Sequence, residues 1–166
     1  MLVESAPGQG AHFRVLFPAL ADTAEFVSAD AGAGADRERE PPITGRVLVV
    51  DDDEAASDFM HDLLENWHIQ PTVMRDSPAA LALFQQRPQA FDLAILDQTM
   101  PHMKGLELAR RLHDLNPGLP VILYSGYSEG ITQQEMTDAG ISVQVQKPVD
   151  TRELQSIVRR LLTSAR

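Results

Sequence analysis

The sequence predicts a doubly wound α/β domain over residues 46–163, built on a five-stranded parallel sheet. From Arg46 onward, five short strand-like runs, among them the unbroken apolar runs 47–50, 93–96 and 121–124, alternate with segments in which apolar residues recur at the spacing of one helix face. Unbroken apolar runs are typical of strands buried on both faces, as they are inside a parallel sheet. Four of the runs end in acidic, hydroxyl or ammonium side chains, and open α/β sheets bind ligands at the carboxyl ends of their strands.

Each element of this domain follows from local signals. The predicted strands are 47–50, 72–74, 93–96, 121–124 and 143–146, and the predicted helices are 54–67, 77–86, 106–115, 131–139 and a last one from 151. Ser77 is expected to cap its helix with Pro78 as the first helical residue, and Asp150 and Glu153 form a capping box. The first helix is expected to bury one stripe, namely Phe59, Met60, Leu63, Leu64 and Trp67.

The N-terminal part of the chain divides into a hairpin and a linker. Residues 1–18 contain two short apolar stretches around a turn, and no segment nearby could cover the apolar face of so small a hairpin. This segment resembles the last hairpin of the ATP-binding domain of sensor histidine kinases. The matching residues are Val3-Glu4-Ser5 and Pro7-Gly8-Gln9-Gly10-Ala11-His12-Phe13, although that family usually has Ser or Thr at the position of Ala11. The family's nucleotide motifs are absent, so no ATP binding is expected. Residues 19–45 are rich in Ala, Gly, Asp and Glu, which predicts a disordered linker.

Composition limits the partners and the compartment. The formal charge is −10, with 24 acidic against 14 basic residues, which argues against direct contact with nucleic acid or an anionic membrane. The sequence has no cysteine, so disulfides and thiolate metal sites are excluded. It has neither an apolar run of membrane-spanning length nor a signal peptide, and we expect a cytoplasmic protein.

Acidic residues follow the first and third strands. Asp97 ends the run Leu93-Ala94-Ile95-Leu96, and Asp51, Asp52 and Asp53 follow the first strand directly. Carboxylates crowded at neighbouring strand ends repel one another unless a cation holds them, and oxygen ligands with open positions suit Mg²⁺. We therefore expect Asp52 and Asp97 to bind Mg²⁺ with Asp51 in support. The alternative is that these acids only favour the N-termini of the helices that follow them.

The fourth and fifth strands also end in polar groups. Ser125 precedes Gly126, and its hydroxyl could donate to a phosphoryl oxygen at that edge, or could serve only as a cap. Lys147 precedes Pro148, and its ammonium is a compact charge suited to a carboxylate or phosphate oxygen. The alternative for Lys147 is a solvated surface lysine.

Together these motifs resemble the receiver domain of bacterial two-component response regulators. The matching residues are Val49-Val50-Asp51-Asp52, Asp97-x-x-Met100-Pro101-x-Met103-x-Gly105, Ser125-Gly126 and Lys147-Pro148. The resemblance implies a flavodoxin-like sheet with strand order 2-1-3-4-5. It further implies that Asp97 is the phosphoacceptor, and that Mg²⁺ is bound by Asp52, Asp97 and the backbone carbonyl of Thr99.

The same resemblance assigns the remaining roles. Asp51 would support the metal site, Ser125 would sense the phosphoryl group, and Lys147 would pair with the phosphoryl group. The peptide bond between Lys147 and Pro148 would be cis. The phosphoryl donor would be a phosphohistidine on a histidine kinase or a histidine phosphotransfer protein. One position departs from the family: Gln144 stands where receivers with an aromatic switch carry Tyr or Phe.

We interpret the chain as the C-terminal portion of a hybrid sensor histidine kinase, without a complete kinase domain of its own. A stand-alone single-domain response regulator is the first alternative. A Mg²⁺-dependent aspartyl-phosphate phosphatase is a second, but such enzymes usually carry an acid two residues after the nucleophile, where this chain has Thr99. A receiver-like binding module is a third, and it would lack one of the acids or the lysine.

Overall fold

The computed structural model describes residues 2–6, 10–14, 43–126 and 130–164. Two compact units are distinguished, Met1–Glu40 and Pro41–Arg166. In the first unit, β1 (Leu2–Ala6) pairs antiparallel with β2 (Gly10–Arg14). The turn predicted between these strands lies outside the described residues, as do residues 19–42 of the predicted linker 19–45.

The second unit is a parallel sheet with helices between its strands. Its elements in chain order are β3 (Arg46–Val50), α1 (Glu54–Asn66), β4 (Gln70–Met74), α2 (Ser77–Gln86), β5 (Leu93–Asp97), α3 (Gly105–Leu115), β6 (Val121–Ser125), α4 (Gln133–Asp138), β7 (Val143–Gln146) and α5 (Thr151–Ser164). The sheet order is β4-β3-β5-β6-β7, and all four pairings are parallel. Counted from β3, this is the predicted order 2-1-3-4-5, and the predicted fold is confirmed.

Alternating side chains of the strands enter two separate cores, one on each face of the sheet. One core joins the sheet to α2 and α3, and its members include Leu48, Val50, Phe84, Leu96, Leu108, Leu112 and Leu123. The other joins the sheet to α1 and α5, and its members include Val47, Val49, Met60, Leu64, Ile95, Ile122, Leu154 and Val158. Burial on both faces explains why the inner strands β3, β5 and β6 contain continuous apolar runs.

Two local predictions are wrong. Phe59 is 50% exposed. The buried stripe of α1 consists of Ser57, Met60 and Leu64, and Phe59 is rotated by about 100° around the helix axis from Met60, away from this stripe. Asp76 caps α2 by accepting from the backbone of Ala79. The Ser77 hydroxyl instead donates to the carbonyl of Pro101 at 3.2 Å, which ties α2 to the loop after β5.

Candidate functional site

The ends of the two central strands bring three carboxylates together. β3 and β5 are hydrogen-bonded neighbours, so the residues that follow Val50 and Leu96 emerge side by side at one edge of the sheet. Asp51 and Asp97 are 5% and 6% exposed, whereas Asp52 is exposed. One carboxylate oxygen from each of these three aspartates lies within 4.8 Å of the others. The predicted acidic cluster is therefore present in the structure.

Lys147 joins the two buried carboxylates. Its Nζ lies 3.0 Å from Oδ2 of Asp51 and 2.6 Å from Oδ1 of Asp97, and 4.7 Å from the centre of the Tyr124 ring. Side-chain alternation explains the meeting, because Lys147 continues the face of β7 that carries Val145, on the α1 and α5 side of the sheet. The Lys147–Pro148 peptide bond is cis, as the resemblance implied. The alternative of a solvated lysine is excluded by these contacts.

Backbone amides orient the buried carboxylates. Thr99 N donates to Oδ2 of Asp97 at 2.6 Å, and Asp53 N donates to Oδ1 of Asp51 at 3.0 Å. Each buried aspartate thus has one oxygen held by an amide and the other by Lys147. Asp53 has a separate use, because its own carboxylate accepts from the backbone of Ala56 and caps α1.

The electrostatics of the cluster favour a divalent cation. Burial raises the pKa of Asp51 more than its hydrogen bond to Lys147 lowers it. Burial lowers the pKa of Lys147, but its hydrogen bonds to Asp97 and Asp51 outweigh burial and the pKa is raised, so the ammonium is charged at neutral pH. With all groups ionised, three carboxylates and one ammonium leave two negative charges uncompensated. Clustered oxygens with that charge fit Mg²⁺.

Gly105 allows α3 to approach the end of β5. A Cβ at this position would collide with the carbonyl oxygen of Asp97 and lie 2.8 Å from Cδ1 of Leu123. The first turn of α3 is held by Gln98, whose backbone carbonyl accepts from Gly105 N at 3.2 Å and whose Oε1 accepts from Leu106 N at 2.9 Å. Gln98 was not predicted as a site residue, and its position directly after Asp97 was the only signal for it in the sequence.

Ser125 is the last residue of β6, and its side chain points to the face of the sheet that carries α2 and α3, opposite to the face of Asp97 and Lys147. Its side chain is fully buried, and its Oγ accepts a hydrogen bond from Nε2 of Gln144 at 2.7 Å. Its backbone carbonyl accepts from Lys147 N at 2.8 Å. In the sequence, Gln144 stood out only as the absence of an aromatic residue, whereas in the structure it is a hydrogen-bond partner of a predicted site residue.

Comparison with known proteins identifies the family of most of the chain. The model of the response regulator receiver domain matches residues 47–159. The chain is 35% identical over 127 residues to the two-component response regulator ORR25 of Oryza sativa subsp. japonica, covering 76% of this chain and 18% of that protein. It is 32% identical over 116 residues to the transcriptional regulatory protein ZraR of Escherichia coli (strain K12), covering 70% of this chain and 26% of that protein.

Solved structures show the same fold. A CheY-like response regulator receiver domain protein from Methanospirillum hungatei JF-1 is 29% identical, with a TM-score of 0.68, and the match covers 74% of this chain and 97% of that one. The signal receiver domain of a signal transduction histidine kinase from Syntrophus aciditrophicus is also 29% identical, with a TM-score of 0.64 and coverage of 72% and 91%.

The curated relatives are much longer than the matched region, since the chain spans only 18% and 26% of the two named above. Within the described part of the chain, no helix has the length and apolar character needed to cross a membrane. The parallel sheet, its strand-end cluster and the family match agree, and the chain belongs to the response regulator receiver domain family.

Proposed function

We propose that this chain is a phosphoacceptor in a two-component phosphorelay and that Asp97 receives the phosphoryl group from a phosphohistidine. The observation that carries the proposal is the contact of 2.6 Å between Lys147 Nζ and Oδ1 of Asp97, beside the carboxylates of Asp51 and Asp52. A nucleophilic carboxylate needs an adjacent cation that accepts the charge of a phosphoryl group, and Lys147 is placed to do so.

The proposed reaction is a direct phosphoryl transfer. A carboxylate oxygen of Asp97 forms a bond to phosphorus as the bond between phosphorus and the donor imidazole nitrogen breaks, and the imidazole leaves as a neutral ring that keeps the proton on its other nitrogen. Thr99 N and Lys147 hold the Asp97 carboxylate in one orientation, which reduces the entropy lost on reaching the transition state. Lys147 then pairs with a phosphoryl oxygen, and the Ser125 hydroxyl donates to another.

Mg²⁺ is the cofactor of this proposal. Asp52 and Asp97 would bind it together with the carbonyl of Thr99, and Asp51 would support the site. When bound, the ion neutralises negative charge on the phosphoryl oxygens and the acids around them. The Asp53 amide donates to Oδ1 of Asp51 and orients this supporting carboxylate.

Phosphorylation by a small phosphoryl donor tests the assignment of Asp97. Wild-type chain incubated with phosphoramidate and Mg²⁺ is expected to gain one phosphoryl group in its intact mass, and Asp97→Asn is expected to gain none. Asp62→Asn is the matched control, because Asp62 is an exposed residue of α1. Equal phosphorylation of Asp97→Asn and wild type would refute the proposal.

The chain is further proposed to be the C-terminal portion of a hybrid sensor histidine kinase, with residues 1–18 as the last hairpin of the kinase domain, 19–45 as linker and 46–163 as the receiver. The kinase-like wording of the N-terminus and the antiparallel pairing of β1 with β2 support this origin. So does the likeness to a receiver domain that is part of a histidine kinase. The stand-alone response regulator remains the alternative.

An immunoblot of the source cells with an antibody against residues 46–163 separates these two origins. The hybrid origin predicts a band far above the 18.3 kDa of this chain, in a protein that also carries phosphohistidine. A single band at 18.3 kDa would support the stand-alone alternative. The donor in either case is proposed to be a histidine kinase or a histidine phosphotransfer protein.

A further inference from the structure

The side chain of Ser125 is held by β7, the strand that Lys147 directly follows. Gln144 lies in β7, three residues before Lys147, and its amide nitrogen donates to Ser125 Oγ at 2.7 Å. In the register of β6 and β7, Leu123 lies opposite Gln144 and Ser125 lies opposite Gln146, so Ser125 and Gln144 are diagonal neighbours on one face. Ser125 is fully buried and Gln144 is half-buried, so water competes little with this hydrogen bond.

The direction of this hydrogen bond decides what the hydroxyl can do. A serine hydroxyl has one proton to donate and two lone pairs that accept, whereas a glutamine amide nitrogen only donates. Because Gln144 donates to Oγ, it occupies a lone pair and leaves the hydroxyl proton available to a second partner. A side chain that only accepted at this position would draw that proton away from the sheet edge.

We propose that Gln144 is a positioning residue for phosphoryl transfer, which fixes the Ser125 side chain and directs its hydroxyl proton to a phosphoryl oxygen on Asp97. This inference rests on the proposed function, in which Asp97 carries the phosphoryl group. The backbone amide of Lys147 holds the carbonyl of Ser125 at 2.8 Å, while the Lys147 side chain contacts Asp97. One strand, β7, therefore positions both phosphoryl-binding donors, the ammonium and the hydroxyl.

Three substitutions of Gln144 separate its polarity from its volume. Gln144→Leu removes the hydrogen bond, and phosphorylation by phosphoramidate at saturating Mg²⁺ is expected to slow by about three- to tenfold, the usual worth of one such bond. Gln144→Glu keeps the shape but replaces the donor by an acceptor that takes the Ser125 proton, so the slowing is expected to be larger. Gln144→Asn retains the amide and is expected to restore part of the rate.

Matched controls exclude a general loss of structure. Gln70→Leu and Gln70→Glu make the same chemical changes on the opposite edge strand, β4, at an exposed residue near the start of the strand. They are expected to leave the phosphorylation rate unchanged. The Mg²⁺ affinity of each Gln144 variant, measured by calorimetry, is also expected to match wild type, because Gln144 acts on Ser125 and not on the carboxylates.

A double-mutant cycle tests whether Gln144 acts through Ser125. In a Ser125→Ala background, Gln144→Leu is expected to cause no further slowing. An unchanged or faster rate in Gln144→Leu alone, or the same slowing with and without Ser125, would overturn the inference while leaving Asp97 as the acceptor. A wild-type chain that gains no phosphoryl group from any donor would refute the proposed function, and this inference with it.

Discussion

Replacement of Lys147 by methionine measures how strongly the ammonium stabilises the acidic cluster. Coulomb's law at an effective dielectric constant of about 20 gives each of its contacts, at 3.0 and 2.6 Å, a gross attraction of about 5–6 kcal/mol. Desolvation of the charges offsets most of this, and loss of one partner from a buried pair typically costs about 3–5 kcal/mol. The Lys147 side chain is 32% exposed, so we expect Lys147→Met to lose about 2–3 kcal/mol of unfolding free energy at neutral pH without divalent cations.

Urea unfolding followed by circular dichroism measures this loss. Lys104→Met is the matched control, because Lys104 is an exposed residue directly before α3 whose side chain forms no capping hydrogen bond. The stability of this variant is expected to stay within about 0.5 kcal/mol of wild type. The loss of unfolding free energy in Lys147→Met should shrink as pH falls. Without the ammonium, the pKa of Asp51 in the folded state rises further above its ordinary value. The folded variant therefore binds more protons than the unfolded variant, and lowering the pH stabilises it. Below the ordinary aspartate value of 3.8 the deficit should vanish.

Mg²⁺ supplies the second half of the same test. Removal of the ammonium leaves the carboxylates with one more uncompensated negative charge, so Mg²⁺ should bind Lys147→Met more tightly than wild type and restore most of the lost stability. Calorimetry gives the affinity, and urea unfolding at saturating Mg²⁺ gives the rescue. Equal stability of variant and wild type at neutral pH, or an equal response to Mg²⁺, would refute the electrostatic account of the cluster.

Three further tests probe separate parts of the structure, two of them with a comparison variant. Gly105→Ala forces α3 away from rigid backbone of β5 and should cost about 1–3 kcal/mol in urea unfolding, whereas Gly118→Ala, with its nearest atom at 3.5 Å, should cost little. Asp51→Asn should remove the destabilisation that grows as pH rises above 3.8, since burial raises the pKa of this acid, and thermal unfolding across pH without Mg²⁺ would show a flatter profile than wild type. Phe59→Ala should cost less than about 1 kcal/mol because its ring is half exposed, while Leu64→Ala should cost about 2–5 kcal/mol.

The fold could be predicted because its three inner strands, β3, β5 and β6, are buried on both faces. Continuous apolar runs such as Leu93 to Leu96 occur in few other settings, and the polar residues after them mark where each strand ends. Strand boundaries were predicted to within two residues, with β4 extending back to Gln70. Phe59 was misassigned because a stripe of apolar residues on a helix gives its direction only approximately.

The acidic cluster could be predicted because its members share one edge of the sheet. Asp51 follows β3 and Asp97 ends the neighbouring strand β5, so topology alone brings their backbones together. Lys147 follows β7, which is separated from β5 by β6, and it reaches both carboxylates through its long side chain. The Gln144–Ser125 hydrogen bond could not be predicted, because it depends on side-chain rotamers and on the diagonal register of β6 and β7. The role of Gln98 in holding α3 depends equally on a long-range contact.

Reductive trapping of the phosphorylated chain tests the central claim most directly. Borohydride reduces an aspartyl phosphate to homoserine, so peptide mapping after reaction with phosphoramidate, Mg²⁺ and borohydride identifies the acceptor by position. We expect homoserine at position 97 alone, and none when Mg²⁺ is withheld by a chelator. Homoserine at position 51 or 52 with Asp97 intact would contradict it.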